Sequence, residues 1–276
     1  MSRTTRTRCG LRARTLVALA ATVTLPLAAC SASTSASNEI VSITSPTTSS
    51  SEPVPTNGTV LDLTVPAAVQ ALPLVNQDGK AVPLSSLVGK TVVISPSLTQ
   101  CQEICPLISA NFGQSVAAVN RSGLSEQVVF LEVTVDPGRD DLAHLTAYQK
   151  LYGAQPNWDF LRGSAPEIAA FWSAFHLNYE QAPNPAGDHA KDWLTGKPLT
   201  YDIEHQNIVY VLGPDGHIKW LVDAAPNVAG AALPATLQKF LSSEGIANQN
   251  SAADPNWTAK DLDEAIAYVT GRAITG

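Results

Sequence analysis

Hydrophobic and polar positions are grouped in blocks along the chain, and these blocks predict strands and helices from about residue 60 onward. Two continuous runs rich in β-branched residues, Thr91–Ser95 and Val128–Val135, are typical of strands buried on both faces of a sheet. Further strands are expected at Trp158–Leu161, at Asn207–Leu212 and, after a Gly-Pro-Asp-Gly turn, at His217–Val222.

Two short runs, Leu72–Val75 and Ala81–Leu84, flank the turn residues Asp78-Gly79 and predict an N-terminal hairpin. The segment Gln181–Pro198 is rich in Pro, Gly and Asp and predicts a loop. Helices are expected at Ile104–Val119, from Asp140 as N-cap to about Tyr152, at Ala165–Phe175 after Ser164, at Leu233–Ser242, and from Thr258 as N-cap through Val269. The order of elements predicts an α/β fold with a mixed central sheet flanked by helices.

The first 29 residues are typical of a targeting segment. They contain five arginines and no acidic residue, followed by an apolar stretch, Leu16–Ala29, that is shorter than the roughly 20 residues a bilayer span needs. The small residues before Cys30 resemble a bacterial lipobox. We therefore expect a signal peptide at 1–29 and a lipid anchor on Cys30 that holds the protein at the outer face of the cell membrane. The alternative is an ordinary signal peptide with a chance cysteine.

Composition divides the remainder of the chain. Residues 30–59 are dominated by Ser, Thr, Pro and Ala and predict a flexible tether. A domain is expected at 60–245, with a helical extension of unknown role at 246–276. Without the first 29 residues the chain has 12 basic against 24 acidic residues. This acidity argues against nucleic-acid binding, which requires clustered Lys and Arg.

The folded part contains one pair of cysteines, Cys101 and Cys105, because Cys9 and Cys30 lie in or at the end of the targeting segment. The pair follows the first central strand and enters a helix, which is the thioredoxin-type arrangement. Two thiols four residues apart lie on one face of a helix, and a helix N-terminus favours thiolates. Thiolates bind copper(I), zinc or iron–sulfur clusters, but they also form disulfides. The spacing leaves metal and redox roles equally open.

A histidine could complete a metal site. His205 is favoured because it lies in a predicted loop just before a central strand, and in a thioredoxin-like sheet we expect such a loop at the same edge as the cysteines. The other four are weaker candidates: His144 and His176 in predicted helices, His189 in the predicted loop, and His217 at the opposite end of the sheet.

Three segments resemble the Sco/SenC family of copper chaperones for cytochrome oxidase assembly. The segment Cys101–Pro106 resembles the family's Cys-Pro-Asp-Ile/Val-Cys-Pro, and Val135–Asp141 resembles its Asp-Pro-x-Arg-Asp-Thr segment. The segment Glu204–Gly216 resembles its Asp-His before a strand and Pro-Asp-Gly turn. Order and spacing agree over about residues 70–243. The chain departs from the family motifs at Gln102, which replaces a proline, and at Glu103 and Glu204, which each replace an aspartate.

The resemblance implies a thioredoxin-like fold and copper bound by Cys101, Cys105 and His205. Two thiolates favour copper(I), and copper(II) stays open. The implied partners are the copper-containing subunit of a respiratory oxidase and a copper donor or thiol reductant. The protein would deliver copper to the oxidase centre or reduce its cysteines. The alternative hypothesis is that the protein is an extracytoplasmic thiol–disulfide oxidoreductase that uses the same two cysteines. Two others, a peroxide-reducing enzyme and a binding module that has lost function, fit the sequence less well.

Overall fold

The computed structural model describes residues 52–184, 190–228 and 231–275. The strands are β1 Thr59–Thr64, β2 Thr91–Ser97, β3 Val128–Thr134, β4 Trp158–Leu161, β5 Tyr179–Ala182, β6 Asp202–His205, β7 Ile208–Leu212, β8 His217–Asp223, β9 Ala225–Pro226 and β10 Asn256–Trp257. The helices are α1 Ala67–Gln70, α2 Cys105–Arg121, α3 Leu142–Leu151, α4 Ala165–Ala174, α5 Ala235–Phe240, α6 Ser243–Asn250 and α7 Ala259–Thr270, with a 3-10 helix at Leu84–Leu87.

Six strands form a mixed sheet in the order β1-β8-β7-β2-β3-β4. The strands β2, β3 and β4 are parallel, and β7, β8 and β1 add to them in antiparallel fashion. Every residue of β2, β3 and β7 is buried, as expected for strands covered on both faces. This confirms the predicted α/β fold with its mixed central sheet and flanking helices.

The two faces of the sheet have separate cores. Neighbouring residues of β2 point in opposite directions, so Ile94 packs with Phe171 of α4 while Val93 packs with Phe112 of α2. Cys101 and Cys105 belong to the first of these cores. The cysteine motif therefore lies inside the hydrophobic packing of the sheet.

Pro96 occupies a central strand, where proline is unusual because it cannot donate to the ladder. The last pair between β2 and β7 is Ile94 with Tyr210, so β7 has ended before Pro96 is reached. Strand residues alternate in the side to which their N–H points, and Thr91 donates toward β3. The missing N–H of Pro96 would thus face the β7 side, where no partner strand remains.

The predicted N-terminal hairpin is present only as a turn with a single bridging pair, Val75 with Ala81, and Leu84 begins the 3-10 helix. Gly79 supplies the positive φ of the turn, +73°. Pro73 and Pro83 each lack an N–H, which explains why the ladder does not extend into strands. The predicted N-cap Asp140 was also wrong. Asp141 caps α3, accepting a hydrogen bond from the N–H of His144.

The strands β5 and β6 form an antiparallel pair, and β5 includes Gln181 and Ala182, the first two residues of the segment that we predicted as a loop. Neither strand has a clear alternation of apolar and polar residues, so no sequence pattern indicates them. His205 is the last residue of β6 rather than part of a loop. Among the described residues, no helix is long and apolar enough to cross a membrane.

The two ends of the described chain pack onto the sheet. Trp220 Nε1 donates to the carbonyl of Asn57, three residues before the predicted start of the domain. At the other end, Thr258 caps α7 in a capping box with Asp261, as predicted. The side chains of Leu262 and Ile266 are completely buried against α2 and the sheet. The residues assigned to a C-terminal extension therefore contribute to the same core.

We expect Leu262→Ala to lower the free energy of unfolding by about 2–5 kcal/mol, because it leaves a cavity under α7. Chemical denaturation of the two proteins would measure the loss. Lys260→Ala is the matched control on the same helix, since this exposed side chain makes only a surface ion pair with Glu264. An equally small effect of both substitutions would show that α7 does not stabilise the domain.

Candidate metal centre

Cys101 and Cys105 lie at the carboxyl end of β2, where the chain leaves the sheet and enters α2. Cys105 is the first residue of the helix, and Cys101 lies in the preceding loop. The N–H of Cys105 donates a hydrogen bond to Cys101 Sγ over 3.3 Å. Both residues are free thiols; Cys105 is completely buried and Cys101 is 9% exposed. Cys101 is thus the more accessible of the two.

The two thiols differ in acidity. A hydrogen bond from the Cys105 thiol lowers the pKa of Cys101, and the N–H of Cys105 adds to this effect. Burial raises the pKa of Cys105 well above its usual value. Cys101 is therefore the thiol that ionises first, and in the metal-free pair Cys105 holds the proton.

His205 completes the centre from β6. Its Nε2 lies 3.4 Å from Cys105 Sγ, and its Nδ1 lies 2.9 Å from the carbonyl oxygen of Gln206. A carbonyl can only accept, so Nδ1 carries the hydrogen and Nε2 presents its lone pair to the sulfur. Burial lowers the pKa of His205, which favours the neutral ring. A neutral imidazole whose far nitrogen is held by a carbonyl is the usual form of a metal-binding histidine.

The side chains of Cys101, Cys105 and His205 lie near one another, but their three ligand atoms are not all within the short distances that binding one ion requires. Within the described ranges, only Asp62, Asp215 and His217 bring three potential ligand atoms within 4.8 Å of one another. Ligands around one ion lie roughly 3.5–4 Å apart. Cys105 Sγ already lies within that distance of His205, and a small rearrangement of the three side chains would bring Cys101 to the same ion. The donor set of two thiolates and one imidazole fits a soft ion such as copper(I).

The group formed by Asp62, Asp215 and His217 is an ion-pair network. Lys219 Nζ lies 2.9 Å from Asp62 and 2.7 Å from Asp215, and His217 Nδ1 lies 2.7 Å from Asp62. A cation therefore already neutralises these carboxylates. The register of β8 on β7 places His217 at the end of the sheet opposite the cysteines, as predicted.

The remaining histidines lie outside the centre or outside the described residues. His144 has both ring nitrogens engaged, at 2.8 Å from Asp141 and 3.0 Å from Asp192. His176 follows the end of α4 in a left-handed conformation with φ 55°. His189 is not among the described residues.

The loop before Cys101 is fixed by side chains from two other segments. The buried carboxylate of Asp140 accepts from the N–H and the hydroxyl of Thr99, at 3.0 and 2.6 Å. Trp193 Nε1 donates to the carbonyl of Thr99 over 2.6 Å, and Gln100 Nε2 donates to Asp192 over 3.1 Å. The sequence did not identify Asp192 or Trp193 as parts of the site, because they are distant in the chain and lie in a segment without periodicity.

The Asp-Pro-Gly-Arg segment ties β6 to the sheet. The guanidinium of Arg139 pairs with Asp136, donates to the carbonyl of Tyr201 over 2.7 Å, and lies 3.9 Å from the centre of the Tyr201 ring. The hydroxyl of Tyr201 donates in turn to Asp136. Since Tyr201 immediately precedes β6, this cluster helps to orient His205.

A sequence model of the SCO1/SenC family matches residues 65–239, well over half of the chain. The chain belongs to the SCO1/SenC family. These are the Sco copper chaperones for cytochrome c oxidase assembly, and the expectation from the three motifs is confirmed. The fold is the thioredoxin-like Sco fold.

Individual relatives share modest identity with the chain. The SCO1 protein homolog of Bacillus subtilis is 29% identical over 145 residues, which cover 52% of this chain and 67% of the relative. The structure of Arabidopsis thaliana ScoI with copper bound is 22% identical, with a TM-score of 0.45, covering 60% of this chain and 87% of that one. A SCO1/SenC family lipoprotein from Bacillus anthracis is 23% identical, with a TM-score of 0.44, covering 62% and 88%.

Several acidic side chains lie near the cysteine motif of this chain. Burial raises the pKa of Glu103, and the nearby carboxylates of Glu244, Asp202 and Glu204 raise it further. Glu103 and Glu204 stand at the positions where we expect Asp from the family motif, so both departures keep the charge. These four carboxyl groups, next to the cysteine motif, give its surroundings a negative potential.

Glu132 is a buried carboxyl on β3, facing α2. It accepts a hydrogen bond from Ser109 over 2.8 Å, one helical turn after Cys105. Burial raises the pKa of Glu132 to about 7, although the hydrogen bond from Ser109 opposes the shift. Glu132 is thus held close to the midpoint of its titration at neutral pH.

The raised pKa of Glu132 predicts a pH dependence of stability. The folded chain binds this proton more tightly than the unfolded chain, so stability decreases as the pH rises from the unfolded value of 4.5 through about 7. Glu132→Gln removes this dependence, and we expect the variant to be more stable than the wild type at pH 8 by roughly 1–3 kcal/mol. Urea denaturation between pH 5 and 8 would measure it, with the exposed Glu126→Gln as control. Parallel curves for wild type and Glu132→Gln would contradict the prediction.

Proposed function

We propose that this protein is a membrane-tethered copper(I) chaperone that delivers copper to, or reduces the cysteines of, a copper centre in a respiratory oxidase. The observation that carries the proposal is the approach of His205 Nε2 to Cys105 Sγ at 3.4 Å, with Cys101 beside them. Two sulfurs and one imidazole nitrogen are the donors that copper(I) prefers, and they exclude hard ions such as Mg²⁺ or Ca²⁺ as cargo.

The geometry suits a metal that must be passed on. Cys105 is completely buried, whereas His205 is half-buried and Cys101 is 9% exposed. The side of the centre formed by His205 and Cys101 offers a route for exchange with the thiols of a partner. The recipient would be the copper-containing subunit of the oxidase, and the donor a copper-carrying protein.

The acidic surroundings of the cysteine motif support a cationic cargo. Glu204 and Glu244 lie close enough to Glu103, between the two cysteines, to raise its pKa, and the field of these acidic groups raises the local concentration of cations. The same charges favour a partner with a basic surface around its own copper site.

A second candidate function is thiol–disulfide exchange with the same cysteines. The lowered pKa of Cys101 makes it the attacking thiolate, and Cys105 lies close enough to resolve a mixed disulfide. In each cycle the pair would lose two electrons and two protons, and the partner's disulfide would gain them as two thiols. This activity requires no histidine, so His205 separates the two functions.

Copper binding can be tested on the reduced protein with a competing copper(I) chelator. We expect one copper(I) per chain, nearly lost in Cys105→Ser and weakened in His205→Ala, because each substitution removes a ligand. His217→Ala is the matched control, since this histidine lies at the far end of the sheet. Removal of His205 should leave disulfide formation by the cysteines intact.

Two results would contradict the proposed copper centre or the chaperone function. Equal affinity in wild type and His205→Ala would remove His205 from the centre and make His189 the next candidate. Absence of stoichiometric binding by the reduced wild type would overturn the chaperone function and favour the oxidoreductase.

The tether is a separate proposal. The small residues before Cys30 and the Ser/Thr-rich stretch after it are typical of a lipoprotein. We expect Cys30→Ser to block processing or release the protein from membranes, as judged by fractionation and by the mass of the mature chain. Cys9→Ser is the control, because Cys9 would be removed with the signal peptide. Unchanged processing and membrane retention in Cys30→Ser would disprove the anchor.

A further inference from the structure

The turn between α5 and α6 touches the cysteine motif, although it lies beyond residue 239, where the family match ends. The N–H of Ser242 donates a hydrogen bond to the carbonyl of Gln102 over 2.9 Å. Gln102 is one of the three residues between the cysteines, and Ser242 supplies a hydrogen-bond donor to its main-chain carbonyl. A segment outside the common family region therefore holds the backbone of the motif.

Gly245 allows this close approach. A Cβ atom at this position would lie 2.2 Å from the carbonyl oxygen of Gln102 and 3.1 Å from the Cα of Glu103. Both atoms belong to the backbone, so no side-chain rotation could relieve the clash. Gly245 lies in α6 without a positive φ, which means that the absent side chain, rather than an unusual conformation, explains the glycine.

The Ser242 side chain adds a second link. Its hydroxyl oxygen caps α6 by accepting from the N–H of Gly245 over 3.1 Å, and the hydroxyl lies near the carboxylate of Glu103. One hydroxyl can accept the first bond and turn its hydrogen toward the carboxylate. The adjacent Leu241 packs in one cluster with Leu107, in the first turn of α2. The turn thus contacts the motif through backbone, side chain and hydrophobic packing.

We propose that Leu241–Gly245 is a positioning element of the metal centre, and that Ser242 and Gly245 fix the Gln102–Glu103 backbone and with it the distance between the two thiols. The effect on copper binding rests on the proposed function, whereas the positioning of the two cysteines applies with or without copper. Residues that hold ligands in place in this way affect metal affinity strongly, typically by 10–100-fold.

Gly245→Ala in the full chain tests the proposal, with Gly113→Ala as the matched control. Gly113 is also a helical glycine, but a Cβ there would meet only Trp158 at an ordinary 3.5 Å. We expect Gly245→Ala to weaken copper(I) binding by roughly tenfold or more in the chelator competition. We also expect it to change, by at least about threefold, the equilibrium constant for oxidation of the pair by glutathione disulfide. In that exchange the pair forms one disulfide and the glutathione disulfide becomes two molecules of glutathione.

The glutathione measurement separates failure of this proposal from failure of the copper function. The double variant Cys101→Ser/Cys105→Ser provides the blank, since Cys9 and Cys30 are present in every variant. If wild type binds no copper, the disulfide equilibrium still reports whether the turn positions the thiols. Ser242→Ala, which keeps the backbone bond but removes the contact with Glu103, should shift the same equilibrium by a smaller amount, and it replaces Gly245→Ala if that variant fails to fold. Equilibria unchanged from wild type in every folded variant, with unchanged copper affinity, would overturn the proposal.

Discussion

The loop that leaves β2 carries backbone polar groups into the interior of the protein, and each of them needs a hydrogen-bond partner. Every residue from Ser97 to Gln102 is buried. Asp140 accepts from the N–H of Thr99, Trp193 donates to its carbonyl, and Ser242 donates to the carbonyl of Gln102. These partners come from three segments that are far apart in sequence. The arrangement of the elements around the centre follows from this requirement.

The same requirement connects the loop to the chemistry of the thiols. The N–H of Cys105 has no carbonyl partner at the start of α2 and donates to Cys101 Sγ instead. This bond stabilises the thiolate of Cys101, whereas the fully buried Cys105 stays protonated. The two cysteines are therefore divided into a more acidic thiol, Cys101, which accepts hydrogen bonds, and a less acidic one, Cys105, whose proton is retained by burial. These different surroundings, and not the spacing in sequence, produce the difference.

The sequence predicted well those features that depend on local pattern. Runs such as Thr91–Ser95 and Val128–Val135 identified the central strands, and the capping box at Thr258 identified the last helix. The association of His205 with the cysteines came from its position before a central strand and from the family resemblance, because no local pattern relates positions a hundred residues apart. Asp140 was misassigned as a cap, since its buried contact with Thr99 depends on how β3 and the cysteine loop meet.

Long-range partners account for the other differences. The strands β5 and β6 lack an apolar alternation and are held through Arg139 and Tyr201, whose contact cannot be inferred from either segment alone. Ser242 and Gly245 have ordinary surroundings in the sequence, as a serine cap and a glycine near a helix start. Only their approach to Gln102 gives them a role in the centre.

The charge balance of the buried centre bears on how a cargo ion would enter and leave. In the metal-free pair Cys101 is the acidic thiol, Cys105 keeps its proton, and His205 is neutral. Binding of copper(I) to both sulfurs requires release of the Cys105 proton, since the thiolate is the ligand. The entering positive charge therefore replaces the proton of Cys105. Because an uncompensated charge is costly in a buried site, this exchange of a proton for the metal ion limits the charge that the two buried thiolates bring into the loaded centre. The preference for copper(I) over copper(II) then rests on the softness of the two thiolates and not on burial.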